Sequence, residues 1–398
     1  MASPPESATA RPYRLLIALF VVTLALRPQL VGIGPLLPRI QADLGVAHAV
    51  GGLLTAIPVL CMGLFAPLGP LVAARFGPRR ALASCLVGIV GFGLLRTLVP
   101  GLPAVIGATI GLGLAMGTAG ALMSIVVKER APQLPALATG AYAAGIVAGS
   151  FVAAAIAVPL ADALGGWRAA LAALAIGAIG SLIGWLLLLP ADRRTSDTER
   201  VSATRLPWRS GLAWGLAAVF GLQSTLYYGA VAWLPDVYVE HGWTETSAGS
   251  LVAVLHLVGL VTGFVVPFLA DRAGSRRTQM ALFSVATLAG FVGISIAPDG
   301  AVLWAVALGV GLGAIFPLCL TLPVDVAHRP AEVGAVAALM LLGGYVISSL
   351  GPVVLGLIRD ATGDFATSIL LLVALAAILV GSCLTLTPGR LRRGVGVS

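Results

Sequence analysis

Charge is scarce in this chain. Only 10% of its 398 residues are charged while 59% are hydrophobic, whereas a soluble domain carries about 25% charged residues. That deficit excludes a soluble globular protein, and no polar stretch between the apolar runs is large enough to fold as one. Cysteine is scarce too. Cys61, Cys85, Cys319 and Cys383 all fall within apolar segments at no metal-ligand spacing, so they read as small buried hydrophobes and no metal site is expected. Also missing are a Ser/His/Asp arrangement and a glycine-rich strand-to-helix turn. The sequence therefore predicts neither an enzyme nor a bound cofactor. The N-terminus, MASPPESATARPYR, lacks a cleavable signal pattern, which predicts that the first apolar run stays in the bilayer.

Long apolar runs are abundant. Segments near 14–37, 48–73, 80–99, 102–127, 136–160, 167–190, 210–236, 246–270, 277–297, 301–327, 332–358 and 365–387 are each long enough to cross a membrane as a helix. The polar linker at 191–209 separates six of them at 14–190 from six at 210–387. A disordered N-terminus at 1–13 and a tail at 388–398 complete the division. Most of the 24 basic residues fall on the side that holds both termini and the linker. Basic loops stay inside, so both termini are expected to be cytoplasmic, in a multi-pass protein of the inner (plasma) membrane. The net charge of +8 is thus topological, and no nucleic-acid partner is expected. The lipid bilayer and a small-molecule or anion substrate are the expected partners of a monomer.

The two halves repeat each other. At an offset of 197 residues, the run 37–80 lies without a gap on 234–277. Leu37-Pro38 meets Leu234-Pro235, and Arg75, Gly77, Arg79 and Arg80 meet Arg272, Gly274, Arg276 and Arg277. Two six-span units of the same orientation are a parallel repeat, the plan of a transporter with its site near the midplane between halves. The expected fold is an all-α membrane protein of twelve transmembrane helices in two pseudo-symmetric six-helix bundles.

Arg27 interrupts the first run. It lies roughly 20 Å along a helix starting at residue 14, too deep to snorkel, where a charge costs about 2.5–3.5 kcal/mol. No acid in the sequence falls near the same depth; Asp236, for one, is placed near the outer surface. The natural counter-charge is a travelling anion, which the planar guanidinium fork suits; bonding to carbonyls freed near Pro28 and Pro35 is the competing reading. The repeat sets position 27 opposite Ser224, within Gln223-Ser-Thr-Leu-Tyr227-Tyr228. Gln223 and Tyr227 share one helix face and Ser224 and Tyr228 another; the first face is favoured for the site. His256, mid-span, is either a hydrogen-bonded helix contact or a proton-coupling group. Tyr142, Phe316 and Tyr345 are further candidates to line the cavity. Arg96 falls near a span end, where snorkelling accounts for it.

The paired loops PLVAARFGPRR and PFLADRAGSRR resemble the signature loop of the major facilitator superfamily. In that superfamily these loops brace the cytoplasmic gate, which implies Arg75, Arg79, Asp271, Arg272 and Arg276 as gate residues; the first copy has Ala74 where an acid belongs. The stretches LRPQLVGIGPLLPRIQADLG (26–45), GLQSTLYYGAVAWLP (221–235), GLGAIFPLCLTL (311–322) and GYVISSLGPVVLGLIRDATGDF (344–365) resemble the cyanate porter family within it. Cyanate transporters and a 2-nitroimidazole exporter belong to that family. Where it commonly carries asparagine two residues before the arginine, this chain has Ala25. The resemblance implies alternating access by a secondary transporter of a small, cyanate-like anion or compact polar solute. An exporter of neutral nitroimidazole-like aromatics is the alternative.

Overall fold

The computed structural model describes residues 10–131, 133–189, 206–270, 276–326 and 330–385. Among the described residues there are helices and no strands. The first expected span, read as one helix, is three: α1 (Ala10–Thr23), α2 (Pro28–Val31) and α3 (Ile33–Leu44). Proline is the cause. Pro28 has no N–H to give the Leu24 carbonyl, and its ring disfavours a helical residue before it. The chain instead turns at Leu24–Arg27, and Pro28 starts α2, where its missing donor costs nothing. The second expected span is also bent, by 64° between α4 (His48–Leu64) and α5 (Leu68–Phe76), where Pro67 interrupts the ladder.

The other elements are α6 (Pro78–Leu98), α7 (Leu102–Arg130), α8 (Pro135–Leu164), α9 (Trp167–Leu188), α10 (Gly211–Glu240), α11 (Glu245–Ala270), α12 (Arg276–Ile296), α13 (Ala301–Val326), α14 (Pro330–Thr362) and α15 (Ala366–Thr385). Among the described residues, ten helical segments are long and apolar enough to cross a membrane, and the bent α4–α5 pair makes eleven. The twelfth is α10. Its 30 residues reach about 45 Å, and Gln223, Ser224, Thr225, Tyr227 and Tyr228 dilute its hydropathy. The polar residues that dilute α10 are thus those it brings to the candidate site.

The halves meet chiefly where α4 packs on α14, α8 on α11 and α3 on α10, with smaller contacts of α3 with α11 and of α4 with α10. The α3–α10 crossing is backbone on backbone: a Cβ on Gly34 would stand 2.1 Å from the Val231 carbonyl oxygen. Gly34 and Val231 are equivalent positions in the repeat, so the pseudo-two-fold axis passes through this crossing. Glycine is the residue that permits it.

The end of the bundle remote from the termini is closed by ion pairs. Arg39 binds Asp162 of its own half at 2.8 Å and Glu245 of the other half. Asp360 accepts from the backbone N–H groups of His48 (3.0 Å) and Ala49 (2.9 Å) and lies 2.8 Å from the His48 ring. Two links, each with its base in the N-terminal half and its acid in the C-terminal half, thus tie the halves together. At the other end, Arg79 donates to the carbonyls of Leu186 (2.6 Å) and Leu189 (2.9 Å). A cation there meets the unsatisfied carbonyls and negative dipole end of α9. Arg75 stands over the Phe76 ring. Asp271 and Arg272 lie outside the described residues, as does the side chain of Arg276.

Candidate substrate site

Arg27 sits at the break between α1 and α2, so its backbone belongs to a turn and its side chain is aimed across the interface. Its Nη1 donates to the Tyr228 hydroxyl on α10 at 2.5 Å, and its guanidinium carbon lies 5.8 Å from that ring's centroid. Tyr227 and Tyr345 complete a ring of three phenols close to the cation. The charged groups acting on Arg27 include no carboxylate. Because Tyr228 accepts from Arg27, its own O–H is left to point elsewhere. A guanidinium edge and a phenol proton are thus both available to one small acceptor-rich guest.

A second layer orients this ring. The Tyr227 and Tyr228 rings meet edge-on at 5.0 Å. Tyr227 Oη lies 2.8 Å from His256 Nε2, and His256 Nδ1 lies 2.7 Å from the Val252 carbonyl. A carbonyl only accepts, so Nδ1 carries a proton. In the neutral ring Nε2 then accepts from Tyr227, and both nitrogens are occupied. Tyr345 packs edge-on against Phe220 at 5.3 Å, and Phe220 lies 6.1 Å from Phe316. Tyr142, on α8, lies near enough to Tyr345 to interact with it. Gln223 is buried, and its amide oxygen accepts from Ser224 at 3.1 Å. Arg27, Tyr227, Tyr142 and Phe316 keep partial exposure, whereas Tyr228, Gln223 and His256 keep almost none.

Sequence reasoning favoured the Gln223/Tyr227 face. The bond to Arg27 is made by Tyr228, from the neighbouring face, while Tyr227 lies beside it. Among the described residues, no backbone carbonyl accepts from the Arg27 side chain. Such carbonyls are met by neighbouring helices: a Cβ on Gly149 of α8 would stand 2.2 Å from the Leu24 oxygen that Pro28 cannot engage. Arg96 does not snorkel. It is 1% exposed, and its Nη2 donates to the backbone oxygen (3.1 Å) and side-chain oxygen (2.6 Å) of Gln29, whose amide donates to Leu171 O at 2.9 Å. Arg96 thus fastens α2, the segment just after Arg27, to α6 and α9. The Arg-Pro-Gln order gave no sign of this, because the partner is 67 residues away.

The fold and the polar cluster between two pseudo-symmetric bundles define a multi-pass membrane transporter. The Major Facilitator Superfamily model matches residues 15–352. The cyanate transport protein CynX of Escherichia coli (strain K12) is 33% identical over 352 residues, covering 88% of this chain and 91% of that protein. The 2-nitroimidazole transporter of the same organism is 32% identical over 377 residues, covering 93% and 94%. A bacterial homologue of the human lysosomal transporter Spinster, in an inward-facing conformation, superposes with a TM-score of 0.74 at 17% identity, covering 97% of this chain and 98% of that one; at that identity the likeness speaks for the fold. The chain belongs to the major facilitator superfamily, within its family of cyanate and 2-nitroimidazole transporters.

Proposed function

We propose that the protein carries a small monovalent anion of cyanate-like size across the inner membrane by alternating access, with both termini cytoplasmic. Arg27 binds the charge, Tyr228 donates its free phenol proton, and Tyr227, held by His256, closes the other side. One observation carries this reading: a cation at mid-membrane depth is ringed by phenols, with no carboxylate acting on it. Such a charge is stabilised when a guest brings the opposite sign. The relation to a cyanate transport protein supports the same substrate class. Rocking of the halves about the α3–α10 crossing would expose the site to each face in turn.

The test is uptake by purified protein in liposomes, with cyanate, nitrate, formate and 2-nitroimidazole as separate substrates. The reading expects saturable movement of at least one anion, lost in Arg27→Ala. A second reading rests on the edge-on Tyr227–Tyr228 pair and the relation to a 2-nitroimidazole transporter: the same ring would stack a neutral heterocycle. Transport of nitroimidazole alone, undiminished in Arg27→Ala, would establish that alternative.

A further inference from the structure

At the closed end of the bundle one acid stands apart. Asp236 on α10 is 6% exposed, and neither carboxyl oxygen has a hydrogen-bond partner. In the repeat, Leu234-Pro235-Asp236 lies on Leu37-Pro38-Arg39, so the two-fold sets an acid where the other half has the gate arginine. The cations nearby are already taken. Arg359 of α14 donates to Glu240 at 2.6 Å, and Arg39 of α3 is held by Asp162 and Glu245. His48 of α4 is paired with Asp360 of α14. Just past the end of α10, His241 is engaged with the Val237 carbonyl. The charged groups acting on Asp236 are Glu240, Glu245 and Arg359, two acids against one base. The other helices packed on α10, α13 and α15, bring no charged side chain to this level.

A buried carboxyl with no donor, flanked by two carboxylates, is far less costly to hold protonated than charged. We propose that Asp236 is a proton switch on the outer gate: it holds a proton while this end is closed and releases it to the external water when the halves part. Parting breaks the Arg39–Glu245 and His48–Asp360 links, so water reaches Asp236 and the ionised form becomes stable. Closing therefore takes up one proton from outside. By linkage, acid favours the closed end, and rising pH favours the open end by up to tenfold per pH unit. The inference rests on alternating access and the outward orientation of this end, and on no particular substrate.

Spin labels at Leu164→Cys and Ile296→Cys, both exposed at the ends of α8 and α12, report the separation of the halves. Replacing the four buried native cysteines by alanine removes background labelling. Distances measured by pulsed electron resonance in lipid nanodiscs between pH 5 and 8 should show the closed fraction falling as pH rises. In Asp236→Asn, a neutral isostere, the closed form should persist at every pH. His48→Gln should keep the wild-type slope. A pH-independent wild type, or Asp236→Asn that retains the slope, would overturn the proposal; so would a slope lost only in His48→Gln, which would assign the proton to the histidine. Infrared difference spectra supply a second reading: a protonated-carboxyl band present in wild type at neutral pH should vanish in Asp236→Asn. Its persistence in the variant would likewise overturn the assignment.

Discussion

Replacing Gly149 by alanine places one methyl group against the break that presents Arg27. The added carbon would stand 2.2 Å from the Leu24 oxygen, 2.9 Å from its carbonyl carbon and 3.0 Å from its Cα. All three atoms are backbone, so no flexible side chain can swing aside. Ordinary contact requires the neighbour to recede by about 1 Å, and overpacking of this kind costs about 1–3 kcal/mol. Helix propensity favours alanine by only about 1 kcal/mol, so the clash wins or nearly cancels in stability. The position of Arg27 has no such compensation: it sits three residues beyond Leu24 in the same turn and must register with Tyr228 at 2.5 Å. A shift of about 1 Å breaks that register. Transport in liposomes is expected to fall at least tenfold in Gly149→Ala, with thermal stability in detergent unchanged or lowered by a few degrees. Gly107→Ala, where nothing lies within 4 Å of the added carbon, serves as the control and should transport as wild type. Wild-type transport by Gly149→Ala would refute the claim that α8 fixes the break.

Two further substitutions probe the residues around Arg27. Tyr228→Phe removes a hydrogen bond to a charged group, worth about 1.5–3 kcal/mol, together with the phenol proton offered to the guest. Anion affinity should fall by at least tenfold, the thermal midpoint should drop by several degrees at most, and an unchanged affinity would place the substrate elsewhere. Arg96→Met trades a buried cation, two of whose nitrogens lack a partner, for an apolar chain of similar reach. The exchange removes that charge but leaves the buried Gln29 oxygens without this donor, so the thermal midpoint should fall by a few degrees at most. Transport should drop severalfold as α2 loosens from α6; a collapse in stability would instead make Arg96 a structural keystone.

Hydropathy and repetition are local properties of sequence, which is why the spans, the duplication and the exceptional Arg27 are legible without coordinates. The break at Leu24–Arg27 was legible in principle, since Arg27-Pro28 combines a residue disfavoured from helix with the natural first residue of a new one. Treating the run as one continuous span hid it. The choice between Tyr227 and Tyr228 was not legible. Adjacent residues differ by 100° around a helix, and which of them faces Arg27 depends on how α10 crosses α3, set by the contact of Gly34 with Val231. Arg96 and Asp236 were both placed near span ends and read as water-facing. Their burial is decided by neighbours far away in the chain: Gln29 for the first, and for the second a gate whose cations bind other acids. Of the paired signature loops, the first places Arg79 on the carbonyls at the end of α9, and Asp271 and Arg272 of the second lie outside the described residues.

The role of Arg27 is tested most directly by equilibrium binding of radiolabelled cyanate, with nitrate and formate as competitors, to purified wild type, Arg27→Lys and Arg27→Ala in lipid nanodiscs. On the proposed reading the guanidinium makes two charge-assisted bonds to the anion, each worth about 1.5–3 kcal/mol, so binding should weaken at least a hundredfold in the alanine variant. The lysine variant, with the charge but not the fork, should fall between. Binding by Arg27→Ala within twofold of wild type would contradict an anion held by this arginine.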